Sequence, residues 1–249
     1  MIVICGRWPT IPSGACGGES DSGTMKHMKT IFSFLLAITL LPYSSIAAAE
    51  LCGGPLDNNN FNRALDYTSD QDKYGFGEGQ SNKLALVEKF HFNSEVEMLI
   101  SGMQGPLPGD IHYTLKHFPN HYRALHAMAK WQLQNPNPKD EECDCVAWLL
   151  PVECYFTRAI TFTPNDPMLY YLLGIYLHEK GELKKALDAY NDALTLGLDS
   201  AEFHYNFGLL MVDLGDYQTA RAYAHEAYAE GVPFPGLRNK LQRLDEWQE

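Results

Sequence analysis

Two thiols set one residue apart, Cys143 and Cys145, are the feature of this sequence best suited to chemistry. Thiolates at that spacing can converge on one soft metal ion, or exchange with a disulfide. Cys52 and Cys154 accompany them, and these four, the cysteines that follow residue 49, allow three connectivities. A Cys143–Cys145 bridge would close a short and strained ring. The expected pairing therefore takes one of these two to Cys154 and the other to Cys52, tying the N-terminal segment to the inserted loop that holds them. No Cys-x-x-Cys-His run is present, so covalent haem attachment has no site.

The other reactive side chains do not assemble. His112, His117, His121 and His126 lie close in sequence, but their offsets do not share one helical face, so they are read as separate surface or groove side chains, not as a ligand set. Glu141 and Glu142 fit a solvated loop. No Ser-His-Asp order and no His-Glu-x-x-His run can be put together, and the glycines from Gly75 to Gly79 lack the strand and helix of a phosphate loop. No catalytic residue, metal site or cofactor is expected, and the chain is read as a non-enzyme, because function has to be argued from a site.

The elements around these residues begin with an export signal. Met25-Lys26-His27-Met28-Lys29 is a basic start, Ile31 to Leu41 is an apolar run, and Ala47-Ala48-Ala49 supplies the small residues of a cleavage site. The apolar run is well short of the roughly 20 residues a membrane-crossing helix needs. Residues 25–49 are thus expected to be a cleaved signal peptide with a mature start at Glu50, which places the protein in the periplasm or outside the cell with no integral span. Residues 1–24 read as a start assigned too early. Removing 1–49 leaves the chain one unit more negative than its full-length −12. Such a surface disfavours nucleic acid, which needs clustered Lys and Arg.

A repeat organises the rest. Gly174, Gly181, Ala186, Ala193 and Gly197 recur as Gly208, Gly215, Ala220, Ala227 and Gly231, each pair 34 positions apart. Asp166 before Pro167, and Ser200 before Ala201, are in place to cap helices, while Gly181 and Gly215 suit the turns between paired helices. From Pro167 to Ser200 the pattern Tyr170, Leu173-Gly174, Leu177, Ala186, Tyr190, Ala193 resembles the tetratricopeptide family, and 201–234 repeats it with His204, Phe207-Gly208, Met211, Ala220, Ala224 and Ala227. Residues 119–166 resemble a divergent unit, with Tyr122, Leu125, Met128 and Ala129 on its first helix, Pro151 to Phe162 as its second, and an inserted loop between.

The resemblance implies an all-α fold: a solenoid of tetratricopeptide helical hairpins, with a polar-backed capping helix over 235–249 whose Leu237, Leu241 and Leu244 share a face. Residues 50–118 form a less regular helical and loop segment, with a capping box at Ser94 opening a helix to about Gly102 and another helix over Asp110 to Phe118.

In this family the first helices line a concave groove that holds a protein or peptide segment. The matching positions here are Arg123, His126 and Lys130, then Tyr171, Ile175, His178 and Glu179, then Tyr205, Leu209 and Asp213. The groove would run from basic through apolar to acidic. Some relatives clamp a terminal carboxylate, but the corresponding positions hold His126, Lys130, Leu172, Glu202 and Asn206, so that clamp is broken. An exported scaffold or adaptor is the first expectation. A thiol- or metal-handling protein using Cys143 and Cys145 is the alternative.

Overall fold

The computed structural model describes Cys52 and residues 64–74, 82–136 and 149–247; the signal segment, Cys143 and Cys145 lie outside the described residues. Among these there are eleven helices and no strand. Four precede the repeats: α1 (Asp70–Tyr74), α2 (Lys83–His91), α3 (Ser94–Glu97) and α4 (Leu107–His117). Three hairpins follow, α5 (Tyr122–Gln134) with α6 (Val152–Phe162), α7 (Pro167–Lys180) with α8 (Leu183–Thr195), and α9 (Ala201–Leu214) with α10 (Tyr217–Ala229), before α11 (Gly236–Arg243).

Local chemistry sets these boundaries. Asp166 accepts the Met168 N–H at 3.0 Å ahead of Pro167 at the first helical position, and Ser200 accepts the Phe203 N–H at 3.2 Å, so each cap satisfies an amide that the helix leaves free. Gly181 and Gly215 end α7 and α9 in the left-handed region, at φ 85° and 82°, where a side chain would be strained. In α3 the cap is Asn93, one residue before the expected Ser94, because its carbonyl oxygen reaches the amides of both Glu95 and Val96. The helix also ends sooner, at Glu97, as Leu99 turns left-handed at φ 60° and Ile100 donates back to the Glu95 carbonyl at 2.8 Å. α11 stops at Arg243 with Asp245 at φ 56°, which leaves Leu244 43% exposed and off the apolar face expected of it.

Small residues let the paired helices approach. Ala186, Ala189 and Ala193 on α8 and Ala220, Ala224 and Ala227 on α10 are buried, and α7–α8 and α9–α10 make the most extensive helix contacts in the molecule. A Cβ at Gly174 would stand 3.0 Å from the Tyr190 ring, so a larger residue there would have to displace that ring. The first helices α5, α7 and α9 also pack on one another in sequence. Leu237 and Leu241 of α11 are fully buried over the last hairpin.

The N-terminal segment is fastened to the first unit. Phe92, Val96, Ile111 and Leu115 join the main core beside Leu125 and Met128. The Leu65 amide donates to the His117 carbonyl at 2.8 Å, and Asn120 bridges by accepting the Tyr67 N–H at 2.8 Å and donating to Asp66 at 2.7 Å. The expected cysteine pairing is corrected here: Cys52 bonds directly to Cys154 in the first turn of α6, their Cα atoms 4.9 Å apart. Neither partner is Cys143 or Cys145. With a sequence separation of 102, the bridge removes enough unfolded-chain freedom to stabilise by about 4–5 kcal/mol on the chain-entropy argument.

Candidate protein-interaction surface

The positions expected to line a groove fall on the first helices α5, α7 and α9, and they divide into two kinds. Tyr171, Ile175, Tyr205 and Leu209 are buried. Tyr171 holds the Asn206 side chain through its hydroxyl at 2.6 Å and lies with its ring among Tyr190 and Phe203. Tyr205 lies between Phe234 and Tyr228, with its hydroxyl so near Gly236 that a Cβ there would sit 2.5 Å away. These four support the first helices from within.

The polar members are more open and mostly engaged. Arg123 forks onto Glu97 of α3, with Nε 2.7 Å from Oε1, and reaches Glu88 of α2 at 3.3 Å. It therefore anchors the N-terminal segment, and the Arg123 hydrogen bonds in turn hold the Glu97 carboxyl below its usual value. Burial drives His126 down to about 4, with the Lys130 charge adding to the effect, so this ring is neutral at pH 7. His178 is buried with Nε2 2.9 Å from Asp213 Oδ2, and Lys240 of α11 donates to the other Asp213 oxygen at 2.6 Å. Partial burial works against ionisation of Asp213, yet these two hydrogen bonds draw it down to about 2. Glu179 is exposed, although protein crowds around it; the lost hydration raises its carboxyl, opposed by the Lys130 and His178 charges. Lys130 and Glu179 therefore sense one another across α5 and α7.

What sequence reading did not find are the partners from outside the repeats: Glu88 and Glu97 for Arg123, and Lys240 for Asp213. Glu97 lies 26 residues before Arg123 and Lys240 lies 27 after Asp213, with no periodicity to connect either pair. Among the described residues no three His, Cys, Asp or Glu side chains converge as a metal ion needs.

Paired helices with small-residue contacts, arranged so that first helix packs on first helix, are the structural counterpart of the 34-residue period. A family profile described as tetratricopeptide repeat matches residues 155–188. The chain carries tetratricopeptide repeats. The match begins inside α6 and runs through α7 into α8, so it takes in the second helix of one repeat and the first helix of the next. The chain is also similar to the mouse Protein O-mannosyl-transferase TMTC1, at 33% identity over 92 residues, which is 35% of this chain and 10% of that protein. The chain thus spans about a tenth of the length of the curated relative it matches. The matched residues fall within α6 to α8; α1 to α5 precede that stretch and α9 to α11 follow it.

Proposed function

We propose that this protein is an exported scaffold or adaptor whose first helices present a graded surface to a segment of another protein. The observation that carries the reading is the repeat itself, with Lys130, Glu179 and Asp213 on successive first helices, running from cation to anion. A bound segment would place acidic side chains near Lys130 and basic ones near Glu179, while Asp213 stays paired with Lys240 and the buried row of Tyr171, Ile175, Tyr205 and Leu209 holds the helices in register. The net charge of −12 argues for a protein partner over nucleic acid.

The test is photo-crosslinking in cells from a probe at position 179 or 130, against a probe at Leu194 on the outer helix. A discrete adduct from either probe, with the one from position 130 reduced by the charge reversal Glu179→Lys, supports the reading. Equal labelling from Leu194 would overturn it. Tyr171→Ala is the weaker test, because that side chain also holds Asn206.

Export rests on the order of basic, apolar and small residues over 25–49 and on the Cys52–Cys154 bridge, which an oxidising compartment preserves. No helix among the described residues is long and apolar enough to cross a membrane. Intact mass of the protein from an envelope extract, with and without alkylation, is expected to show a start at Glu50 and a bridge resistant to alkylation. A mass that retains residues 25–49 would refute the cleaved signal.

A further inference from the structure

The helices ahead of the repeats carry a face that the array does not use. On α2, Leu86 and Phe90 stand one turn apart at 52% and 41% exposed, while Leu84 on the opposite side is buried. On α4, Tyr113 is 39% exposed, while Ile111 and Leu115 behind it are buried. The two helices pack together, so that Leu86, Phe90 and Tyr113 border one shallow recess. The His91 ring stacks on Tyr113 at 3.8 Å and His117 leans on the same ring at 4.5 Å, which fixes the aromatic wall.

Charge on this face runs against that of the whole molecule. α2 and α4 contain two carboxylates, Glu88 and Asp110, and neither belongs to the face. Glu88 pairs with His121 and Arg123. Asp110 is buried and accepts from the amides of Met103 and Gln104, with His91 Nδ1 2.7 Å from its other oxygen. Lys83, Lys89 and Lys116 are left exposed, with the Lys89 ammonium 5.3 Å over the Phe90 ring. A chain of net charge −12 thus presents an apolar recess on two helices whose exposed charged side chains are lysines, with Lys89 against its Phe90 wall.

We propose that this α2–α4 face is a second docking surface, for a short protein segment that carries aliphatic or aromatic anchors flanked by carboxylates. An anchor fills the recess between Leu86, Phe90 and Tyr113, and the lysines take the flanking acids, so that apolar burial supplies affinity and charge supplies selection. A long polyanion suits the face less well, since phosphates beyond the first few would meet the acidic remainder of the molecule. The face lies outside the repeats and does not depend on how they are used.

The experiment is fluorescence anisotropy on the purified protein with a labelled helical peptide that repeats Leu and Phe at one-turn spacing with Glu between them. Its counterpart has Lys in place of every Glu. Saturable binding of the Glu peptide is expected, weakened about tenfold or more for the Lys peptide, for Phe90→Ala and for the pair Lys83→Glu with Lys89→Glu. Glu179→Lys should leave it unchanged, which separates this face from the repeat surface. The three substituted side chains on α2 are exposed, and unchanged thermal unfolding would confirm that the variants fold. Equal affinity for both peptides, or for wild type and Phe90→Ala, overturns the proposal. Stronger binding to phosphatidylglycerol vesicles or to a single-stranded oligonucleotide also overturns it, and so does self-association abolished by Phe90→Ala, which would assign the face to a second copy.

Discussion

Tyr190 is fully buried on α8, with its ring against Gly174 and among Tyr171, Phe203 and Phe207 at centroid distances of 6.0, 5.8 and 5.7 Å. Its hydroxyl has no hydrogen-bond partner among the described residues, and burial pushes the phenol well above its ordinary value. An unpaired buried hydroxyl costs about 1–3 kcal/mol, whereas the ring contributes packing that phenylalanine would keep. Tyr190→Phe is therefore expected to raise stability by about 1 kcal/mol in urea unfolding. A loss of similar size would mean that the hydroxyl is paired. Tyr171 offers the contrast, because its hydroxyl is bonded to Asn206, so Tyr171→Phe should destabilise by about 1 kcal/mol. Both tyrosines stand at repeat positions that sequence reading singles out. Nothing in the spacing distinguishes the bonded from the unbonded hydroxyl, because the partner comes from the next repeat or from nowhere.

Helix boundaries were legible where the determining chemistry is local. Asp166, Ser200, Gly181 and Gly215 act on amides or carbonyls within one turn, and each does what its residue type implies. Where neighbours compete, or where the cause is distant, sequence reading fell short. Asn93 displaces Ser94 as a cap, and Leu244 leaves the apolar face because Asp245 turns the chain. Arg123, read from sequence as a groove position, also fastens α3 to α5. At the closing helix the local and distant terms can be measured separately. Leu237 is buried with a methyl so close to Gly208 that a Cβ there would stand 2.6 Å from it. Leu237→Ala should lose about 2–4 kcal/mol through the cavity it leaves. Gly208→Ala alone should be neutral to destabilising by about 1 kcal/mol, as the gain in helix propensity is offset by the displaced leucine. In the Leu237→Ala background the same change should become stabilising by about 1 kcal/mol, because the added methyl then enters the vacated space. Additive behaviour in this double-mutant cycle would show that α11 does not rest on Gly208.

For the molecule as a whole, the joint between the N-terminal segment and the repeats is where pH acts. Burial drives His112 and His126 down to about 4 and lowers His117 and His121 as well, so all four favour the neutral ring when folded. At His121 this has a structural reason. Its Nδ1 accepts the Ala124 N–H at 3.1 Å to cap α5, while Nε2 lies 3.1 Å from Glu88 Oε1, and a doubly protonated ring could not accept. Lowered histidine values mean that the unfolded chain binds more protons than the folded one as pH falls below about 6.5. The stability they contribute is complete above that pH and is lost on descent toward about 4. Glu97, Glu153 and Asp213 act in the same direction at lower pH, whereas the raised Asp166 and Glu179 oppose them. Between pH 7 and 5 the histidines dominate, and the urea midpoint should fall by an amount equivalent to about 1–2 kcal/mol for each of His112 and His126. A midpoint that holds constant or rises over this range would refute the assignment. Because His112 of α4 bonds Tyr155 of α6 and His121 caps α5 against Glu88 of α2, acid should loosen the contacts of this segment with the first hairpin first. Hydrogen exchange at pH 5 is expected to quicken in α2 to α4 before α7 to α10, with the Cys52–Cys154 bridge still holding the segment to α6. His121→Asn retains a capping side chain without a titrating ring, and it should reduce both the fall in midpoint and the early exchange.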